Sequence, residues 1–367
     1  MKRNCIILDK SRDNVAVALT DLRPGDSAEG VLVKEQIGRF HKVALTDINS
    51  GSPVYKYGEV IGITTSKIEA GTWIHNHNLR MHDVALDDFR HKDIDPADSP
   101  APIKNRYFLG FKHTEPERGF GTRNYLLIAS TVDCSARTVE LAVEELNRKK
   151  EHYSKRFPNV DGIIGLTHNS GCGVVALSPA HLRENKTVEN LINHPNVGGR
   201  VVVQLGCEKS QASVIFGEEK LVPLDLESNI EPGQIPLITI QEGGGTWDTV
   251  DKITEFVEKR LLPEANRRRR ELIPASELKL ALQCGGSNSA SGVSANPAIG
   301  YAADLLVRQG GSPFISETTE TAGAEHLLAL RACTSELAEK FLNFAKEYAR
   351  YLERGGGTAQ NNLGHGN

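Results

Sequence analysis

The sequence predicts an α/β protein, with a small β-rich domain at the N-terminus and a parallel-sheet α/β region after it. Three observations carry this. A short apolar run that ends at a cysteine among small residues occurs four times, at 126–134, 161–173, 200–209 and 278–284. The stretches that follow keep helical spacing, as in Val139, Val143 and Leu146, or in Val250, Ile253, Val257 and Leu261. Strands separated by amphipathic helices indicate parallel βαβ units. Residues 1–80 lack that helical period and instead show short β-branched runs between Gly- and Pro-containing turns.

Composition bounds the function. The chain has 367 residues, 25% charged and 39% hydrophobic, with a net charge of −4. That is an ordinary soluble globular composition with room for two or three domains. The charge gives no electrostatic argument for nucleic acid. No apolar run approaches the ~20 residues of a membrane span, so no membrane partner is expected. The apolar CIIL near the N-terminus is too short for a signal peptide. Six cysteines without disulfide-framework spacing point to a reducing cytoplasm. The four arginines at 267–270 follow an amphipathic stretch and read as a solvated helix end.

Taken in order, residues 1–82 form the β-rich module. VALTD occurs at 17–21 and again at 43–47, each time leading into a turn, and YGEVIGITT at 57–65 adds a strand. Residues 83–118, rich in prolines and charges, read as a linker. An α/β domain spans 119–275, with strands at 126–131, 161–167, 200–205 and 236–240. A second α/β part spans 276–367. It opens on LALQCGGSNSASGVSANP at 280–297, read as strand, a loop of exposed backbone amides, then a helix with Asn296 as N-cap and Pro297 at its first position. Ligands bind at such loops in parallel sheets. The helix stops at Gly310-Gly311, and Phe314-Ile315 forms a short strand. A long helix at 335–354 presents Leu337, Phe341, Phe344, Tyr348 and Leu352 on one face.

The loops offer chemistry. His75 and His77 are spaced i, i+2, which on a strand puts both imidazoles on one face. They could hold one metal ion or an anionic substrate, or simply face water at a sheet edge. His168 stands between a strand end and Gly171-Cys172-Gly173. It is a general base, a metal ligand or a satisfied loop histidine. Cys134, Cys172, Cys207 and Cys284 at four strand ends are small buried residues or soft-metal and iron–sulfur ligands; no CxxC occurs. Glu317 and Glu320 directly follow a strand. Lys209 and Arg123 suit an anionic substrate. The absence of a GxGxxG and of a P-loop argues against nicotinamide or ATP chemistry.

At these motifs the sequence resembles the altronate/galactarate dehydratase family of sugar-acid hydro-lyases. DNVAVAL, HKVALTDI, KYGEVIG and IHNHN resemble the family's N-terminal SAF (antifreeze-like, β-clip) domain. The match continues through GTRN, the H-x-x-G-C-G loop at 168–173, LGCE at 205–208, CGGS followed by SANP, and SETTE with GAEHLL at 316–328. The resemblance implies loss of water from a sugar acid, altronate or galactarate in type, to give a 2-keto-3-deoxy acid with Fe²⁺ or Mn²⁺. It implies His168 as base, with Lys209 and Glu317 as further catalytic groups. It implies His75, His77, Cys172 and Cys207 as metal ligands. Arg123, Asn124, Gly285, Gly286, Ser287 and Asn288 are implied in substrate binding. This chain departs from the family's pattern at Asn288, where an aspartate is usual, and at Ser170, where a tyrosine or similar residue is. It also ends near an NPSPGN-like motif, so it is expected to lack the family's C-terminal segment. Two other readings follow: a catalytically incomplete sugar-acid-binding protein or half of a split enzyme, and an iron–sulfur hydro-lyase using three of the four strand-end cysteines. A homo-oligomer, or a second chain supplying the missing part, is the expected partner besides the sugar acid.

Overall fold

A computed structural model of the chain describes residues 3–81, 101–103, 106–113, 115–227, 230–285 and 290–358. The chain divides into two compact units, Met1–Ile103 with Lys279–Asn367, and Lys104–Leu278.

The first unit begins with short strands: β1 (Cys5–Ile6), β2 (Val15–Ala18), β3 (Ser27–Ala28), β4 (Val31–Leu32), β5 (Lys42–Ala44), β6 (Pro53–Lys56), β7 (Glu59–Thr64), β8 (Trp73–Ile74) and β9 (Leu79–Arg80). They form an antiparallel sheet in the order β1-β2-β5-β8, a second sheet β6-β7-β9, and the hairpin β3-β4. The VALTD repeat is structural. Its two copies begin within β2 and β5, which pair through Ala16 and Val43. Five residues after the start of each copy, Leu22 and Ile48 make equivalent single bridges, to Ile37 and Ile68. Each bridge residue is buried in its own small apolar cluster.

The second unit opens with β10 (Tyr107–Lys112) and β11 (Phe120–Gly121). Then come β12 (Tyr125–Ser130), α1 (Asp133–Asn147), α2 (Lys150–Arg156), β13 (Gly162–Leu166), α3 (Pro179–Ile192) and β14 (Val197–Gln204). It continues with α4 (Ala212–Phe216), β15 (Leu221–Pro223), β16 (Ile235–Thr239), α5 (Thr246–Phe256), α6 (Leu262–Arg267) and β17 (Glu271–Pro274). The five-stranded sheet β13-β12-β14-β16-β15 is parallel throughout. Its strands are apolar on both faces because helices cover both. Leu126, Ile128, Val201 and Val203 pack with Val139 of α1 and Ile253 of α5. The alternate residues Leu127, Ala129 and Val202 pack with Val188 of α3 and Phe216 of α4. A π-helical turn at Val257–Leu261 joins α5 to α6, where Pro263 has no N–H to continue the ladder.

The chain then returns to the first unit with β18 (Lys279–Leu282), α7 (Asn296–Arg308), β19 (Ser312–Ile315), α8 (Glu325–Ala329) and α9 (Ser335–Arg354). β18 and β19 form a two-stranded parallel sheet. The overall class is the expected one, a β-rich N-terminal domain followed by parallel α/β structure.

Several local expectations differ from the structure. Tyr107–Lys112, inside the stretch read as linker, is a strand that pairs with both β11 and β17. β15 was not foreseen, since three residues are too few for a period. The arginine run is a solvated helix end only in part: Arg267 closes α6 and is exposed, as is Arg269, but the other two are engaged. Arg268 bonds His113 Nδ1 at 3.1 Å, and Arg270 lies over the Phe111 ring and bonds the carbonyls of Leu109 and Thr122. Asn296 does not cap its helix, because a π turn at Ser291–Ala295 precedes it and its own φ is −63°. On α9 the buried positions are Ala338, Leu342 and Ala345, while Leu337, Phe344 and Tyr348 are exposed. The apolar stripe and the buried face of that helix are therefore offset. Residues 83–100 of the stretch read as linker and the tail after 358 lie outside the described residues. Among the described residues no helix is long and apolar enough to cross a membrane, and all six cysteines are free thiols.

Candidate active site

In the parallel sheet, β13 lies to one side of β12 and β14 to the other. The connections leaving β12 and β14 therefore diverge at their carboxyl ends, where a crevice opens in α/β sheets. Thr131, Val132, Ser170, Gly171, Cys172, Lys209 and Ser210 line a narrow cavity there, of about 10 Å³. That is about the room one water needs. Gly171 and Gly173 face open space, for a Cβ on either would meet nothing within 4 Å.

The β14 loop is braced from within. Glu208 is 4% exposed. Its Oε1 accepts from Thr131 Oγ1 at 2.7 Å and from the Leu205 amide at 3.0 Å, and its Oε2 accepts from the Gly206 amide at 2.6 Å. Gly206 has φ +127°, a conformation that side-chain-bearing residues avoid. With these acceptor positions filled, Glu208 shapes the loop. Lys209 then straps the neighbouring loop, donating to the carbonyls of Cys172 at 2.6 Å and Val174 at 3.1 Å. Two of its three ammonium protons are used this way.

His168 lies two residues past the end of β13. Its Nδ1 is 2.9 Å from Glu184 Oε1, and Ser170 Oγ donates to Glu184 Oε2 at 2.6 Å. The Ser170 amide donates to His168 Nδ1 at 3.3 Å. Nε2 is buried without a hydrogen-bond partner among the described residues. A buried polar atom with no partner is costly and calls for an explanation. Glu184 is held by α3, whose N-cap Ser178 accepts from the His181 amide. His181 is buried one turn before Glu184. Its Nδ1 accepts from the Leu177 amide, so its Nε2–H donates to Ser210 Oγ at 2.9 Å.

The structure thus brings His168, Cys172 and Lys209 to one end of one sheet. Cys207 is in that same β14 loop, and the remaining expected residues stand elsewhere. Cys207 is exposed and its sulfur accepts from Gln241 Nε2 at 3.5 Å. Arg123 and Asn124 precede β12, at the opposite end of that strand from the loops. Asn124 is buried and donates to the carbonyls of Asn159 and Ala265, which serves the core; exposed Arg123 bonds the Thr122 carbonyl. Six strand residues at ~3.3 Å each separate them from the crevice.

His75 and His77 belong to the first unit and are not on a strand. β8 ends at Ile74, and Asn78 closes a turn by donating to the His75 carbonyl at 3.0 Å. Both imidazoles pack on the Trp73 indole, with centroids 4.9 and 5.2 Å away, and His41 joins them. Burial, and then Lys42, lower the pKa of His75. Also in the first unit, Glu317 follows β19 and accepts from the Cys284 amide at 2.7 Å, tying two strand ends together. Gly285 is exposed; Gly286, Ser287 and Asn288 lie outside the described residues. Among the described residues no group of three or more His, Cys, Asp or Glu could hold a metal ion. Of the expected ligands, His75 and His77 belong to the first unit and Cys172 and Cys207 to the second.

Glu184, His181 and Ser210 were missed. A signal existed: Ser178-Pro179 announces a helix start, and His181 and Glu184 are i, i+3 and so share a face.

Comparison with known proteins covers most of the chain. The altronate/galactarate dehydratase SAF domain matches residues 4–82. The second domain of D-galactarate dehydratase/altronate hydrolase matches 110–266. The C-terminal domain of D-galactarate/altronate dehydratase matches 275–367, so that domain is represented where the sequence reading expected a loss. The chain is 36% identical over 349 residues to galactarate dehydratase (L-threo-forming) of Escherichia coli (strain K12), covering 94% of this chain and 65% of the relative. It is 31% identical over 344 residues to altronate dehydratase of the same strain, and 32% over 347 residues to altronate dehydratase of Bacillus subtilis (strain 168). Each of these matches covers 93% of this chain and 65% of the relative. The chain therefore spans about two thirds of the length of these relatives. With its SAF, second and C-terminal domains matched in order, the chain belongs to the galactarate/altronate dehydratase family.

Proposed function

We propose that this chain carries the dehydration of a sugar acid, of galactarate or altronate type, to a 2-keto-3-deoxy acid, with His168 as the base. The observation that carries this is His168 itself, whose Nε2 is buried without a partner among the described residues, beside an open glycine loop. The base removes the proton at C2, the C3–O bond breaks, and the hydroxyl leaves as water after taking up a proton. The resulting enol becomes the 2-keto acid by tautomerisation. A proton next to a carboxylate is weakly acidic, so the negative charge that builds on the substrate needs stabilisation. Fe²⁺ or Mn²⁺ remains our proposal for that stabilisation, but no donor set for it is assembled among the described residues, so no step is assigned to it. Free thiols and the absence of disulfides support a reducing cytoplasm as the place of action.

The test is anaerobic turnover of galactarate and of altronate, with Fe²⁺ or Mn²⁺ added, following the 2-keto-3-deoxy product. Product from one acid, lost by a factor of about 10²–10⁴ in His168→Ala, is expected. Unchanged turnover in that variant would remove His168 from the mechanism. A second reading, a sugar-acid-binding protein or half of a split enzyme, is favoured by the smallness of the cavity lined by Ser170, Cys172 and Lys209. Binding of the acid without any product would put that reading first.

A further inference from the structure

We propose that the second unit carries a binding site for a phosphate-sized oxyanion, between Arg200 and Arg268 at the amino ends of β14 and β16. It lies at the other edge of the parallel sheet from His168 and does not depend on the reading of that residue. A cavity of about 160 Å³ opens there, lined among others by Arg118, Arg200, Arg268, Gln234 and the pair Gly198-Gly199. The two glycines belong to the start of β14, and Gln234 directly precedes β16. Room of this order holds a benzene-sized molecule, and phosphate is smaller. It is well below the size of an ordinary ligand pocket.

Positive charge is in excess at this cavity. Glu115 is shared by two guanidiniums, at 3.1 Å from Arg118 and 3.1 Å from Arg200, whose side chains are only 5% and 6% exposed. Arg118 spends its other donors on the carbonyls of Asn193, His194 and Val197, which makes it structural. Burial first, and then the Arg200 charge, lower its pKa to about 10. Arg200 bonds Asn193 Oδ1 at 2.7 Å and Glu115 through its terminal nitrogens, so its Nε–H is unused among the described residues. The third guanidinium, Arg268, is partly buried. Among the described residues it has no ion pair, and its side chain bonds only the neutral His113 ring, at 3.1 Å. Arginine is rarely covered unless paired, because a covered charge without a counter-charge is costly. Two further carboxylates line the cavity. Glu264 is paired with Arg260 at 3.2 Å, and Glu231 is exposed to solvent. Gln234 adds a neutral donor, since its Oε1 accepts from the Glu231 amide at 2.8 Å and leaves its Nε2 as the open end. Guanidinium forks match the oxygens of an oxyanion two at a time. An anion held by Arg200, Arg268 and Gln234 supplies the counter-charge that the protein itself does not.

The experiment is titration of the full chain with inorganic phosphate, at an ionic strength held constant with chloride. Binding is read by calorimetry and by NMR of the His113 ring, which touches Arg268. Saturable one-to-one binding is expected, with a His113 shift that follows the same curve. Arg268→Gln should weaken binding about 10–100-fold. Arg137→Gln, 63% exposed on α1, should bind like the wild type. An absence of saturable binding would overturn the proposal. So would unchanged binding in Arg268→Gln, equal weakening in both variants, or saturation that leaves His113 unmoved. Should Arg268→Gln fail to fold, the His113 shift in the wild-type protein decides alone. Neither readout uses turnover, so failure of the sugar-acid reading and failure of this site are separate results.

Discussion

The five-stranded sheet of the second unit and the β18–β19 pair of the first are written in the same way, as apolar runs that end in a cysteine or a carboxylate. They differ in what covers them. Ile128 and Val202 in the larger sheet are fully buried between helices on both faces, whereas Phe314 and Ile315 of β19 are 52% and 64% exposed. Their loop carboxylates differ likewise. Glu208 closes a buried network of three accepted bonds, while Glu317 accepts one amide at 2.7 Å. An apolar strand followed by a small-residue loop specifies an element. It does not specify how many neighbours that element will have, and a loop is only as rigid as the layers beneath it.

The contrast can be broken most directly at two phenylalanines. Phe256 in α5 is 1% exposed, and Phe256→Ala should cost about 3–5 kcal/mol. Phe314→Ala should stay within about 0.5 kcal/mol. Hydrogen exchange read separately over each unit is the appropriate measurement, because two units need not unfold as one. Equal losses would mean that β19 is as well packed as the larger sheet. A smaller difference is expected at the loop carboxylates. Glu208→Ala leaves the amides of Leu205 and Gly206 without their acceptor and should cost about 2–3 kcal/mol, against about 1 kcal/mol for Glu317→Ala. Protection of the amides at 205–208 checks this.

A pH effect sharpens the comparison further. Burial, and then the Arg118 guanidinium, push the His113 pKa from 6.5 down to about 4. His113 Nε2–H donates to the Pro195 carbonyl and Nδ1 accepts from Arg268, so the folded protein holds it neutral. Below pH 6.5 the unfolded chain takes up a proton that the folded unit refuses until about pH 4. Stability from this residue is therefore full above pH 6.5 and is lost as pH falls from there towards 4. Between pH 6.5 and about 5 the loss should be about 2 kcal/mol in the second unit. His113→Gln should flatten it, as urea unfolding at the two pH values would record. In the first unit His41 and His75 are also lowered, each by burial first, and slope the same way. A steeper acid loss in the first unit than in the second would contradict the assignment to His113.

Much of the candidate site could be read from single residues. His168, Cys172 and Lys209 were found because each stands directly after an apolar run, and a parallel strand delivers its next residues to the carboxyl edge. Arg123 and Asn124 show the limit of that reasoning. They adjoin the same strand, but at its other end, and Asn124 is occupied by two backbone carbonyls. His75 and His77 failed for a related reason. The i, i+2 rule holds only inside a strand, and Asn78 folds the chain into a turn there by bonding back to Trp73 and His75.

By itself the sequence determined the class of fold, the longer apolar strands and amphipathic helices, and the loops that follow those strands. Those follow from periods of two and 3.6 and from glycines, which are local properties of the chain. Tertiary structure alone decided the order β13-β12-β14-β16-β15, the grouping of β18 with the first unit, the buried face of α9, and the pairing of Glu184 with His168. Each of these is a choice of partner among surfaces distant in sequence. Such a choice is fixed by which burial and which hydrogen bonds can be satisfied together, and no local period encodes it.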